Sequence, residues 1–277
     1  LSTINKHIIY EDLYDFWLYA FRESDAYEKS SRGYSREWNG NVSWLEAKKL
    51  ALQGWQKGLE QVKKYQTEIT PQITEKVIRP SQIYDVAGYN VDVGRYLSND
   101  PECFMSREFV INDSPGRIFT LVCSISFSAA IKPETIIQRG AMICALVDAI
   151  EFAGHRVEVI CNEASSISSN SEYRKGKHKD KGWFEVDVTI KKPNQPLEMI
   201  ELAFCLAHPA MLRRVMFSVA EIEGWSDFAH AYGYPAEATI KGDLYIEEIF
   251  SGTIPNKKAI DWVLGQLKKL NIEIKNK

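Results

Sequence analysis

The stretch from Arg117 to Cys161 constrains this chain more than any other, because it carries a strand, a helix and a second strand without interruption. Ile118 to Ile125 is a continuous apolar and β-branched run, the composition of a strand buried on both faces. Pro133 stands where a helix begins, its fixed φ suiting the first helical position. Ile136, Gly140, Ile143, Val147 and Ile150 then recur as one helical stripe, and Gly154 ends it. Arg156 to Cys161 reads as the second strand. Such a β-α-β unit calls for a parallel strand pair joined by a right-handed crossover.

The C-terminal remainder extends that pattern. Asn162 to Lys181 is polar, Ser-rich and then basic, and reads as a long loop. Trp183 to Lys191 alternates strictly, which predicts an edge strand whose solvated face carries Glu185 and Asp187. Helices are predicted over 197–207, 209–223 and 256–270, with strands at 244–250 and 272–274. The expected fold is therefore α/β, a mostly parallel open sheet with helices on both faces, as in Rossmann-like domains. Ligands bind such sheets at the carboxyl ends of strands, which directs attention to the loops after Ile125, Cys161 and Phe250.

The first third reads as helical. Asp12 to Phe21 is dense in aromatics, and Ser43 with Glu46 three residues on forms a capping box. The helix it opens is predicted to run to about Lys64, with Gly54 and Gly58 allowing close backbone approach. From 80 to 113 short alternating stretches are broken by Gly88, Gly94 and Asn99-Asp100-Pro101, a strand-and-turn pattern that predicts a small β layer. The expected organisation is a helical lobe with that layer over 1–113 and an α/β domain over 114–277.

Composition narrows the classes. A net charge of -3 in 277 residues excludes a surface that is basic throughout, though not a local basic patch. The five cysteines form no C-x-x-C pair and sit mostly in apolar runs, as buried free thiols of a reducing compartment would. No apolar run approaches the roughly 18 residues that span a bilayer, so no membrane role is expected. Leu1 to Tyr10 shows no basic-then-apolar secretory pattern, and a cytoplasmic location is the expectation.

The end of the first core strand reads Cys123-Ser124-Ile125-Ser126-Phe127-Ser128, with hydroxyls at alternate positions ahead of a helix. Here the run LVCSISFSAAIKPETIIQRGAMICALVDAIEFAGHRVEVICN resembles a von Willebrand factor A-like domain. The resemblance implies a D-x-S-x-S loop holding a divalent cation, and a strand order with an antiparallel strand third. Ser124 stands where the family's leading aspartate would be, and Ser251 precedes Gly252 where the family often has Asp-Gly. A magnesium-type ion usually needs at least one carboxylate, so Ser124, Ser126, Ser128 and Ser251 read as a degenerate metal loop. No cofactor is expected, with Mg2+ the one candidate. The segment YDVAGYNVDVGRYLSNDPECFM and the pattern GWQKG also resemble uncharacterised proteins of tailed bacteriophages, which implies an origin more than an activity.

The remaining candidate chemistry is a basic run. Arg174, Lys175, Lys177, Lys179 and Lys181 lie between Tyr173 and Trp183, with Lys191 and Lys192 at the far end of the following strand. Cations can neutralise phosphates while flanking rings stack on unpaired bases, so single-stranded nucleic acid is an expected partner. No Walker-type glycine loop occurs. A hydrolase would need Ser124 or Ser126 activated by His155, His178, His208 or His230, and no G-x-S-x-G elbow is present. The sequence thus reads as a non-enzymatic binding protein for nucleic acid or a protein partner. The alternatives are a hydrolase or a metal-dependent adhesion-type domain using the serine loop.

Overall fold

A computed structural model describes residues 3–22, 37–73, 80–88, 90–109, 116–229, 231–250 and 259–274. In chain order the elements begin with β1 (Asn5–Tyr10), α1 (Leu13–Ala20), α2 (Trp44–Gln53) and α3 (Gly58–Ile69). They continue through β2 (Pro80–Asp85), β3 (Asn90–Val91), α4 (Val93–Leu97) and β4 (Phe104–Phe109). Next come β5 (Ile118–Ser124), α5 (Pro133–Phe152), β6 (Arg156–Ser166), α6 (Ser171–Arg174) and β7 (Trp183–Lys191). α7 (Met199–Ala207), α8 (Phe217–Ile222), α9 (Trp225–Phe228), β8 (Tyr234–Pro235), β9 (Leu244–Ile246) and α10 (Ala259–Lys269) complete the order.

The chain divides into two compact units, one of 1–74 with 118–277 and one of 75–117. The expected boundary at 113/114 is corrected by β1. This strand pairs in parallel with β7 along its whole length, so the N-terminal segment belongs to the main sheet. Its six residues lack a period long enough to be recognised against the aromatic helix that follows.

The smaller unit is a three-stranded antiparallel sheet in the order β2-β4-β3. β3 stops at Val91, because Asp92 caps α4 by accepting from Arg95 N at 3.1 Å. Tyr84 Oη donates to the same carboxylate at 3.1 Å, and the Arg95 guanidinium lies 3.8 Å from the Tyr84 ring centre.

The main unit is mixed α/β, with a mostly parallel central sheet ordered β1-β7-β6-β5-β9 and flanked by helices. β5 runs parallel to β6 and β9, whereas β7 runs antiparallel to β6. Alternation places Leu121, Cys123, Val159, Cys161, Glu163, Phe184 and Val186 on one face. Ser124, Asn162, Ala164, Trp183, Glu185 and Asp187 lie on the other. The large core, with α1, α5 and α7, forms on the first face only. On the second face the buried apolar cluster is just Ala164, Trp183 and Ala236. Part of the second face is covered by segment 236–239, through Ala236 and Thr239, and by Lys179, which lies over Trp183.

Local rules explain the helices. The Ser43 capping box forms, with Ser43 N donating to Glu46 Oε2 at 2.7 Å and Glu46 N donating to Ser43 Oγ at 3.2 Å. The predicted run to Lys64 breaks at Gly54, whose φ of 76° ends α2. A Cβ there would meet Ile200 Cγ1 at 2.6 Å, so glycine is required both for conformation and for space. α5 spans the predicted stripe and buries nearly all round, as a helix held between sheet and outer helices must. Two strand expectations change. β6 continues through the polar Asn162–Ser166, which had read as loop, and β7 is not an edge. Glu185 and Asp187 are 0% and 1% exposed rather than solvated. Among the described residues no single helix is long and apolar enough to cross a membrane.

Candidate functional site

The basic run supplies less free surface than its spelling implies. Asn170 caps α6 by accepting from Glu172 N at 2.9 Å, and Tyr173 packs its ring 4.7 Å from His178. Lys177 and His178 both reach Glu172, at 3.6 and 3.4 Å, and Lys181 lies 3.9 Å from Asp180. Arg174 sits over Phe250, while Lys179 donates to Thr239 Oγ1 at 2.8 Å and lies over Trp183. Trp183 itself is buried and donates from Nε1 to Glu185 Oε2 at 3.3 Å, so it cannot stack on a base. Lys191 is equally buried, 2.6 Å from Glu151 Oε1 and donating to Val157 O at 3.0 Å. Lys192 is half-buried near Asp12. What stays exposed is Lys175, Lys177 and Lys181. Both residues belong to β7: Trp183 lies opposite Asn5 of β1, whereas Lys191 lies beyond the β1 pairing and is held by Glu151 and Val157.

The serine loop is also committed locally. Ser124 Oγ accepts from Ser126 N at 3.3 Å, and Ser126 Oγ accepts from Ala164 N at 2.8 Å. Ser128 N donates to Ile249 O at 2.9 Å, and Ser251 lies outside the described residues. The histidines proposed as bases are dispersed. His155 precedes β6 at its amino end beside Phe119, His178 faces Glu172, and His230 lies outside the described residues. His208 accepts from Ala210 N on Nδ1 and packs against Trp55, and burial pushes its pKa down to about 4.

Two polar clusters flank the sheet at its functional end. On the face with less cover, Asn162 Nδ2 donates to Glu185 Oε1 at 3.1 Å and to Asp187 Oδ1 at 2.7 Å. His7 Nε2 lies 2.6 Å from Asp187 Oδ2, and Thr239 N donates to Glu185 Oε1 at 2.6 Å. Burial raises the Asp187 pKa, opposed by the hydrogen bonds from Asn162 and His7. Ligand-type atoms of His7, Glu185 and Asp187 lie within 4.8 Å of one another, the one such group of three among the described residues.

On the helical face β6 outruns β5. The pairing of β5 ends at Asn162, so Glu163 and Ser165 project beyond it on this face. β8 pairs there with Ser165 and Ser166, and the Ser126 hydroxyl holds Ala164 N. The result is a cleft of about 100 Å3 whose lining includes Ser126, Glu163, Ser165, Trp38, Phe217 and Tyr232. A π-helical stretch, Met211–Met216, widens the turn that leads into Phe217. From it Arg213 donates to Trp38 O at 2.7 Å and Ile131 O at 2.5 Å, fixing the far wall. Phe217 and Tyr232 stack with ring centres 3.7 Å apart.

Glu163 is the unusual member. It is 3% exposed, and its Oε2 and the Ser165 Oγ face each other without a third hydrogen-bond partner. Burial pushes its pKa up to about 8, opposed by the neighbouring Ser165 hydroxyl and helped by the charges of Glu185 and Asp187 through the sheet. It is thus protonated at neutral pH. Sequence reasoning passed over Glu163 because it stands in a polar stretch that resembles loop. The available signal was the unbroken β-strand period from Arg156, which keeps Val157, Val159, Cys161, Glu163 and Ser165 on one face.

The fold and cleft define a mixed α/β protein with a buried acid at the carboxyl end of a mostly parallel sheet. The chain belongs to the family described as Domain of unknown function (DUF7192), whose model matches residues 3–274. No curated protein and no solved structure matches it.

Proposed function

We propose that this chain is a non-enzymatic binding protein on a von Willebrand A-like α/β domain, holding its partner in the cleft at the ends of β5 and β6. The strand order supports the architecture: β5, β6 and the antiparallel β7 follow one another outward, with β9 on the far side of β5. The observation that carries the binding role is the pair of buried oxygens, Glu163 Oε2 and Ser165 Oγ, which face only each other inside an aromatic-walled cleft. Each such atom costs about 1–3 kcal/mol when unsatisfied. A site that retains both is accounted for by a ligand that supplies the missing bonds. Among the described residues His155, His178 and His208 lie away from the serine loop, which favours binding over hydrolysis.

The test is a chemical-shift titration of the isotopically labelled protein with small cationic, neutral and anionic probes. Shifts at Ser126, Glu163, Ser165 and Tyr232 that vanish in Ala231→Trp, a substitution at the cleft lining, are expected. Shifts confined to the basic loop would remove the cleft from the reading.

A second reading keeps single-stranded nucleic acid as the partner, favoured by the exposure of Lys175, Lys177 and Lys181 on one turn. It relies on phosphate contacts alone, since Trp183 is buried. Anisotropy with labelled single-stranded DNA across a salt series separates the two readings.

A further inference from the structure

We infer that the cleft takes a single cationic side chain, the ammonium or guanidinium of a lysine or arginine on a protein partner, with Glu163 as its counter-ion. The inference rests on the binding role proposed above and adds the chemistry of the group bound.

Size comes first. A cleft of about 100 Å3 is smaller than the roughly 150 Å3 cavity that accommodates a benzene ring. A cleft of that volume, open to solvent on one side, fits a narrow alkyl stem with a small head group. An alkyl stem on a polypeptide meets that limit.

Charge comes second. The acceptor at the cleft is Glu163 Oε2, with Ser165 Oγ beside it on the same face of β6. The charges that act on Glu163 from β7 are Glu185 and Asp187, both acidic. Nearby cations are engaged elsewhere. Arg139 of α5, over the Phe127 ring, donates to Ser124 O and to Glu247 O. Arg213, over the Trp38 ring, donates to Trp38 O and Ile131 O. Glu221 of α8 accepts from Tyr232 Oη at the Phe217 wall. An anion would meet these carboxylates, and a neutral group would leave the potential uncompensated.

The walls come third. Trp38, Phe127, Phe217 and Tyr232 line the cleft with apolar ring surface, one face of the first two being taken by Arg213 and Arg139 and the last two stacking on each other. The same rings cover an alkyl stem. A buried carboxyl ringed by aromatic side chains is complementary to a lysine or arginine in both halves, stem and head.

Binding a cation requires the Glu163 proton to leave. At pH 7 the carboxyl is mainly protonated, because its pKa lies at about 8. Cation affinity should therefore rise about tenfold per pH unit between pH 6 and pH 7, and level off above about 8.

The experiment uses the whole chain and capped tripeptides Gly-Lys-Gly and Gly-Arg-Gly, with Gly-norleucine-Gly as the neutral isostere and n-butylammonium as the free amine. Titration is followed by chemical shift at pH 6, 7 and 9, and by calorimetry in buffers of different ionisation heat. The lysine or arginine peptide should shift Glu163 and Ser165, bind at least tenfold tighter at pH 9 than at pH 6, and release close to one proton at pH 7. Glu163→Gln should lower that affinity at least tenfold while leaving the norleucine peptide unchanged and the protein folded by circular dichroism. Ala231→Trp, which leaves the carboxyl in place, should block every probe.

Equal binding of the norleucine peptide, pH-independent binding, or undiminished cation binding by Glu163→Gln would each overturn the cationic assignment. In those cases the cleft survives as a binding site. Tighter binding of n-butylammonium than of either peptide would also overturn it, in favour of a free amine. No binding of any probe at the cleft would overturn both this inference and the binding role beneath it.

Discussion

The two faces of the main sheet carry similar polar residues and treat them in opposite ways. On one face Glu185 and Asp187 share the Asn162 amide, and Thr239, Trp183 and His7 complete their hydrogen bonds; only Asn162 Oδ1 is left without a partner. On the other face Glu163 and Ser165 end in a cleft with oxygens that face only each other. A buried carboxylate with its donors in place stabilises a fold, and a buried carboxyl without them is a cost. The difference separates scaffold from site, although both sets of residues alternate along the same two strands.

Breaking the satisfied side should have the largest effect. Asn162→Leu removes the donor common to Glu185 and Asp187, and should destabilise the protein by about 3–5 kcal/mol, the cost of losing two hydrogen bonds to buried carboxylates. Urea unfolding at pH 7 reads this directly. A loss under 1 kcal/mol would mean that the two faces do not differ in kind.

Glu163→Gln should do the reverse. With a folded-state pKa of about 8 against an ordinary 4.5, the folded protein binds more protons than the unfolded chain between those values. Stability from this group is therefore lost as pH rises from 4.5 to 8, and is level above. The variant should match the parent at pH 4.5 and exceed it by on the order of 3 kcal/mol at pH 9. Denaturant curves at the two pH values check it, and an equal loss at both would show Glu163 to be scaffold.

His208 offers a control away from both clusters. Its pKa falls to about 4 because the neutral ring is buried against Trp55 and Phe204. The unfolded chain binds the extra proton below the ordinary 6.5, so stability should drop by on the order of 3 kcal/mol between pH 6.5 and 4. His208→Gln should flatten that limb without altering the Glu163 limb at higher pH, as melting curves across the range would show. Smallest of all, replacing Lys175, Lys177 and Lys181 by Gln should change stability by less than about 0.5 kcal/mol, since these side chains are exposed. The same variant should leave cleft binding intact, and loss of tripeptide binding in it would move the site to the loop.

How much of this was legible beforehand differs by element. The β5-α5-β6 unit follows from apolar periodicity, and its strand and helix stand where the pattern places them. The alternation of β7 was legible too, but not what its polar face meets. A period of two says which residues share a face and leaves open whether that face is wet. β1 was invisible because Asn5–Tyr10 owes its strand state to pairing with β7, 173 or more residues away. The polar end of β6 read as loop for a related reason. Polarity in a strand signals either solvent or a buried network, and only neighbours tell which.

The sequence by itself determined the alternating α/β order, the capping box at Ser43 and the burial of the cysteines, each of which depends on local spacing or on the hydrophobicity of a run. The tertiary structure alone decided that β1 closes the sheet, that Trp183 and Lys191 are withdrawn from the basic loop, and that Glu163 rather than the serine loop supplies the unsatisfied group. Those outcomes depend on contacts between residues far apart in the chain. Hydrogen bonding and desolvation act over a few ångströms of space, whatever the distance in sequence.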